Sequence, residues 1–118
     1  MAGFPAFTDH HVRQPIVEGL LRRGWRVVRS VDALGEGVDD DILFDYAAKT
    51  ALVFVTCDER IHAIAVARLK TGQAFRMVFW KQAHHARMSD GDFIMALEEI
   101  ARKPNAFSYP IEYVTPKR

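Results

Sequence analysis

Three aspartates, Asp9, Asp40 and Asp58, stand where carboxylates from distant parts of the sequence could share one cation. Asp9 ends a short apolar run, and Asp58 follows the longer apolar run LVFVTC at residues 52–57. Asp40 belongs to an acidic run at residues 39–41 that precedes an amphipathic segment. Carboxylates that converge repel one another, and a hard divalent ion with oxygen ligands removes that repulsion. Mg²⁺ or Mn²⁺ is therefore the expected cofactor of a site built from these residues.

Such a site could hydrolyse a phosphodiester. A divalent ion held by a few carboxylates and several waters can activate a water for attack and stabilise the charge that builds on phosphorus. This chemistry needs neither a serine triad nor a glycine-rich phosphate loop, and the sequence shows neither. Each aspartate alone also fits ordinary helix capping or turn chemistry. Only their convergence makes a site, so the predicted elements must bring them together.

Length and composition indicate one ordinary domain spanning residues 1–118. The chain is 49% hydrophobic and 26% charged, which excludes a disordered class, and its net charge of +1 does not itself indicate a nucleic-acid partner. The single cysteine, Cys57, cannot form an internal disulfide, which favours a reducing, cytoplasmic location. No segment approaches the roughly 18 apolar residues of a membrane span, and no export signal is apparent. We therefore expect neither export nor membrane insertion.

Strands and helices are predicted to alternate along the chain. Apolar, β-rich runs predict strands at residues 4–8, 25–31, 52–56 and 75–80. Helical spacing of apolar residues predicts helices at residues 12–23, 39–50, 59–70 and 89–103, with a glycine-bearing loop at 32–38. Residues 104–118 are expected to form an edge strand or a docking arm. The alternation favours a three-layer α/β/α fold with an open, mostly parallel sheet.

Parallel strands would bring two of the aspartates together. The carboxyl ends of such strands share one edge of the sheet, where these folds bind ligands. Asp9 and Asp58 both lie just past a strand, and neighbouring strands are about 4.8 Å apart, so both carboxylates could reach one ion. Asp40 would need the loop before it to run back across that edge.

The motifs around these aspartates resemble those of the PIN-like nuclease family. They are FTDHHV at residues 7–12, RRGW at 22–25, DDDILFDYAAK at 39–49 and LVFVTCD at 52–58. The resemblance covers residues 4–81, about two thirds of the chain. It is to the short branch of the family that is often predicted to supply the toxins of toxin–antitoxin pairs.

The resemblance implies a PIN-like fold and a Mg²⁺- or Mn²⁺-dependent ribonuclease. Asp9, Asp40 and Asp58 match the acidic positions that bind metal and carry catalysis, and Thr56 matches the threonine that supports the last of them. An RNA substrate and a cognate antitoxin protein that covers the acidic edge are implied as partners.

The residues that follow Asp58 depart from the family pattern. Family members often carry an acid and then an aromatic residue at this point, whereas Arg60 and Ile61 stand here. Glu59 is the nearby acid that could serve as an additional metal ligand. Arg60 is a candidate substrate contact, and as a cation beside Asp58 it could instead replace the metal as charge partner.

Two groups of basic side chains are candidates for contacting an RNA backbone. In the first, His10 or His11 could orient a phosphate or help to bind Mn²⁺. The second follows the fourth predicted strand and consists of Lys81, His84, His85 and Arg87. From these groups we predict that His10, Lys81 and His84 bind substrate.

The remaining conspicuous side chains fit structural roles. Trp25 and Trp80 lie in predicted strands and are expected in the core or an interface, and Cys57 is expected to be an inert buried thiol. Four arginines surround the junction between the first helix and the second strand. They are Arg22, Arg23, Arg26 and Arg29, and we expect them on a solvated or partner-binding surface away from the strand carboxyl ends.

Two other functions are compatible with the sequence. One is a degenerate PIN-like binding module that lacks enough ligands to hold a catalytic metal. The other is a phosphoacceptor domain of the response-regulator type, which usually has a pair of acids after its first strand, where this chain has histidines after Asp9. A second copy of the chain is a further candidate partner, as a homo-oligomer.

Overall fold

A computed structural model of the chain describes residues 3–117, which form an all-parallel sheet of five strands with helices on both faces. The strands are β1 (Ala6–Thr8), β2 (Val27–Arg29), β3 (Val53–Thr56), β4 (Arg76–Phe79) and β5 (Ile111–Tyr113). The helices are α1 (Gln14–Arg22), α2 (Ser30–Leu34), α3 (Asp40–Lys49), α4 (Glu59–Leu69) and α5 (Asp90–Arg102), and residues Gln82–Ala86 form a 3₁₀ helix. The predicted three-layer α/β/α class is confirmed, with every strand parallel rather than most of them.

The strand order is β2-β1-β3-β4-β5. The chain runs outward from β1 to β2, then returns past β1 to start β3 on its other side. Ligands of open parallel sheets bind where the strand order reverses in this way, at the carboxyl ends of the strands. In this fold that position lies between the ends of β1 and β3, at the edge that we call the carboxyl edge.

Two apolar layers hold the helices to the sheet because successive strand residues face opposite sides. On one face, α1 and α5 contribute Ile16, Leu20, Phe93 and Leu97, which pack with Ala6 and Val55. On the other face, α3 and α4 contribute Leu43, Phe44, Ile61 and Ala65, which pack with Phe7 and Phe54. β3 is buried along its whole length, as its uninterrupted apolar run predicts.

Local signals in the sequence account for several helix ends. Gly24, just after α1, has φ +83°, a left-handed conformation that favours glycine. At the start of α5, Ser89 and Asp92 form a complete capping box, in which each side chain accepts a hydrogen bond from the other residue's backbone N–H. These interactions end and start the helices where the sequence predicts.

The segment after β2 differs from the prediction. The predicted strand extends to Val31, whereas β2 ends at Arg29 and the chain turns directly into the five-residue helix α2. The N–H of Gly35 donates to the carbonyl of Val31, closing a single helical turn. One turn is too short to produce a helical periodicity, so the apolar residues of α2 resemble a continuation of the strand.

The other elements follow the predicted pattern. β5 pairs with β4 at the end of the sheet, at the place where the sequence indicates an edge strand or arm. Trp25 and Trp80 are both buried in the core, and Cys57 is a buried free thiol. Within residues 3–117, no helix has the length and apolar character needed to cross a membrane.

Candidate metal centre at the carboxyl edge

The hydroxyl of Thr56 connects two aspartates that lie 49 positions apart in sequence. Because Thr8 pairs with Val55 across β1 and β3, the next residues on each strand, Asp9 and Thr56, also come side by side. Thr56 Oγ1 donates to Asp9 Oδ2 at 2.8 Å and accepts from the backbone N–H of Asp58 at 3.0 Å. All three residues are buried, so the strand pairing itself brings the two carboxylates together.

His11 completes a cluster of three possible metal ligands with these carboxylates. One ligand atom from each of Asp9, His11 and Asp58 lies within 4.8 Å of the others. The backbone N–H of His11 donates to Asp9 Oδ1 at 3.2 Å, which fixes the turn that carries the imidazole. We call Asp9, His11 and Asp58 the metal triad.

The ring nitrogen of His11 has an unusual environment. Nε2 is buried and lies 3.0 Å from Asp58 Oδ2, but among residues 3–117 it forms no hydrogen bond of acceptable geometry. A buried polar atom normally has a hydrogen-bond partner. An imidazole nitrogen beside two buried carboxylate groups is also a donor set that a divalent cation accepts, so the residues present could hold a metal ion.

Arg60 provides the positive charge next to the triad. Its guanidinium donates to both oxygens of Asp58, from Nη2 to Oδ2 at 2.9 Å and from Nε to Oδ1 at 3.3 Å. The same Nε lies 3.8 Å from Asp40 Oδ2. The Arg60 side chain is 74% exposed, so its ion pairs are accessible to solvent and can be broken at little cost.

The two triad carboxyls respond to their surroundings in opposite ways. Burial raises the pKa of Asp9 above its usual value, against the hydrogen bond from Thr56 and the nearby charge of His11. Burial also acts to raise the pKa of Asp58, but the hydrogen bonds and charge of Arg60 outweigh it and hold the pKa below the usual value. Asp58 is therefore held as a carboxylate, whereas ionisation of Asp9 opposes folding.

We expect Asp9→Asn and Asp58→Asn to change the pH dependence of stability in opposite directions. Because the folded-state pKa of Asp9 lies above its unfolded value, the free energy of unfolding falls as pH rises between these values. The stability of Asp9→Asn relative to wild type should therefore rise over that window and then level off. The folded-state pKa of Asp58 lies below its unfolded value, so its contribution is present at neutral pH and is lost in acid. Asp58→Asn should accordingly lose most at neutral pH.

Urea unfolding in EDTA, from about pH 3 to about pH 7, would measure both effects. If the difference in the free energy of unfolding between each variant and wild type stayed constant with pH, the opposite pKa shifts of Asp9 and Asp58 would be contradicted.

Only some of the other predicted site residues lie beside the triad. A cleft of about 480 Å³, the larger cleft, is lined by Asp9, His10, Asp40 and Asp58 among others. Asp40 thus reaches the same cleft, at the first turn of α3, but within the described residues it is not part of the group of ligand atoms that share 4.8 Å. Glu59 is exposed and also lies outside that group.

The basic residues after β4 lie in and around a short 3₁₀ helix rather than in an irregular loop. Residues Gln82–Ala86 form the 3₁₀ helix, and His85 Nε2 accepts a hydrogen bond from the indole N–H of Trp80 at 2.8 Å. Burial lowers the pKa of His85, which agrees with a neutral acceptor. His85 is therefore a structural partner of Trp80, whereas Lys81 is exposed and His84 is half-buried.

Arg29 lies where the sequence does not predict it. The expectation that Arg22, Arg23, Arg26 and Arg29 are all remote from the strand carboxyl ends is wrong for the last of them. Arg29 is the final residue of β2 and pairs in register with Thr8, one position before Asp9. It lines the larger cleft and also an adjoining cleft of about 240 Å³, the smaller cleft, beside the start of α1.

Sequence patterns contain only partial signals for these placements. His10 and His11 follow Asp9 directly in the sequence. The sequence pattern does not show which of the two imidazoles lies beside the aspartates. Burial and the charges of Asp9 and Asp58 raise the pKa of Cys57, which stands between β3 and the triad, to about 11 and so favour the protonated thiol. Comparison of the chain with protein-family models, curated proteins and solved structures finds no match.

Proposed function

We propose that this chain is a divalent-metal-dependent endoribonuclease of PIN-like type, which acts in the cytoplasm as the toxin of a toxin–antitoxin pair. The observation that carries the proposal is the metal triad, with two buried carboxylates and an imidazole gathered at the point where the strand order reverses. The larger cleft beside it gives a substrate access to Asp9 and Asp58. The motifs at residues 7–12, 39–49 and 52–58, which resemble those of PIN-like nucleases, point to the same activity.

Each residue of the site has a defined task in this proposal. Asp9, His11 and Asp58 hold the ion, and Asp40 faces the same cleft, where it can bind a water or a second ion. When bound, the ion supplies an activated water and neutralises charge on the phosphodiester. Thr56 positions both aspartates through its single hydroxyl. The antitoxin would cover the carboxyl edge and so exclude RNA.

The ligand set favours Mn²⁺ over Mg²⁺. Mg²⁺ is bound almost entirely by oxygen and keeps several waters, whereas Mn²⁺ accepts an imidazole together with carboxylates. The nitrogen of His11 is the only one among the triad's candidate ligand atoms. We propose that Mn²⁺ is the ion that this chain binds more tightly.

His11→Ala should weaken Mn²⁺ binding about tenfold or more, since the loss of even an indirect partner of a metal ligand costs about 10–100-fold in affinity. His10→Ala is the matched control, because His10 is the neighbouring imidazole and lies outside the triad. Calorimetric titration with Mn²⁺ and then with Mg²⁺ would measure both variants and the wild type. Wild-type Mn²⁺ affinity in His11→Ala would remove His11 from the site, and absence of binding by wild type would remove the nuclease proposal.

A second candidate function is a binding module without catalytic metal, and Arg60 favours it. Arg60 already neutralises Asp58 and approaches Asp40, so it could take the place of an ion. In the nuclease proposal, the exposed guanidinium of Arg60 would give way to the ion. Wild type then binds Mn²⁺, and Arg60→Gln binds it more tightly because the competing charge is gone. If wild type binds no Mn²⁺ and only Arg60→Gln does, the binding module is the better description.

A further inference from the structure

We propose that Arg29 binds a phosphate of the RNA next to the one at the metal triad, and so sets the path of the strand across the carboxyl edge. This inference rests on the proposed nuclease function. The smaller and larger clefts adjoin along Asp9, His10 and Arg29, which line both of them. An extended polyanion can therefore lie across the two clefts while it passes the triad.

The guanidinium of Arg29 has no charge partner among the residues that the structure describes. Arg13, the other arginine in the smaller cleft, pairs with Asp90 at 2.7 Å, and Arg60 pairs with Asp58 at 2.9 Å. In residues 3–117, the guanidinium of Arg29 forms neither an ion pair nor a side-chain hydrogen bond. It is also half-buried at the end of a strand, so its backbone is held while its charge remains available.

An unpaired guanidinium in an acidic cleft fits a phosphate for electrostatic reasons. Asp9, Asp40 and Asp58 repel an RNA strand except where a metal ion or Arg60 neutralises them. Arg29 offers a planar fork of donors that matches phosphate oxygens. The ion and Arg29 together would supply two positive charges along the adjoining clefts. This arrangement fits consecutive phosphates of an RNA strand.

Two basic candidates that follow β4 fit this task less well. His85 is occupied by Trp80, and Lys81 follows β4, which is separated from β1 by β3. Arg29 instead lies on β2, directly beside β1 and Asp9.

The test compares Arg29→Gln with Arg26→Gln. Arg26 is exposed, lies at the amino end of β2 and lines neither cleft, so both variants lose one charge but at opposite edges of the sheet. The probe is a fluorescein-labelled single-stranded oligouridylate of about twelve nucleotides, a length within the usual range of single-strand sites. Anisotropy is measured at a fixed, low concentration of Ca²⁺, so that an ion neutralises the acidic cleft, over a series of salt concentrations starting at low salt, and gel analysis checks that the oligonucleotide stays intact.

Arg29→Gln should weaken RNA binding about tenfold or more relative to Arg26→Gln, as expected for loss of a hydrogen bond between charged groups. The slope of log affinity against log salt should also become shallower by about 0.7, the change for one single-strand phosphate contact. Equal affinity and slope in the two variants, or no binding by wild type, would overturn the role of Arg29. The Mn²⁺ titration tests the nuclease separately, so a protein that binds RNA through Arg29 but binds no metal would contradict only the nuclease.

Discussion

Replacing Asp58 by Asn should reduce Mn²⁺-dependent cleavage of single-stranded RNA by roughly 10³-fold or more, because a bound ion contributes several kcal/mol of transition-state stabilisation. Asp9→Asn should reduce it to a similar extent, since both carboxylates belong to the metal triad. The two losses should not add, because either substitution already removes the ion. Cleavage of a labelled RNA under single-turnover conditions, with Mn²⁺ in excess, measures the effect.

Asp32→Asn is the matched control for these variants. Asp32 is exposed on α2 and lines neither cleft, so the same chemical change there should leave the rate of cleavage unaltered. Circular dichroism would show that all three variants keep the fold. Retention of wild-type cleavage by either triad variant would exclude the proposed mechanism.

Thr56→Val should affect both stability and metal binding, although the two side chains have nearly the same shape. Thr56 is completely buried, and its hydroxyl is a partner of both the Asp9 carboxylate and the Asp58 backbone N–H. Valine leaves that N–H without an acceptor, which costs about 1–3 kcal/mol. Asp9 also loses a donor that lowers its pKa, so the carboxylate becomes harder to ionise and should bind Mn²⁺ about 10–100-fold more weakly.

Thr56→Ser separates a positioning role from simple packing. Serine keeps the hydroxyl and removes only a methyl group, so Mn²⁺ affinity should return close to the wild-type value even though stability falls slightly. Urea unfolding in EDTA and Mn²⁺ calorimetry provide the two measurements. If the serine variant bound Mn²⁺ as weakly as the valine variant, the hydroxyl would not be what positions the aspartates.

Much of the fold follows from local patterns. The uninterrupted apolar run at β3 indicates a central strand because only a strand covered on both faces tolerates such a run. Amphipathic spacing predicts α1 and α5, and Gly24 and Ser89 mark helix boundaries that the structure also has. The helix α2 could not be predicted in this way, because a single turn has too few residues to show a period.

The candidate site follows from the sequence only in outline. Parallel strands place Asp9 and Asp58 at the same edge whatever the strand order. That they share the hydroxyl of Thr56, however, requires β1 and β3 to be neighbours in a particular register. Arg29 reaches the clefts for the same reason, since β2 pairs with β1 and ends at the carboxyl edge.

The amino-acid sequence by itself determines the alternation of strands and helices, the buried faces and the presence of acids just past two strands, because these depend on neighbours within a few positions. The tertiary structure decides which side chains meet. The choice of His11 over His10 depends on the direction of a turn, and the approach of Arg60 to Asp40 depends on how α3 and α4 pack. Contacts between residues distant in the chain are set by strand order and register, which local patterns do not specify.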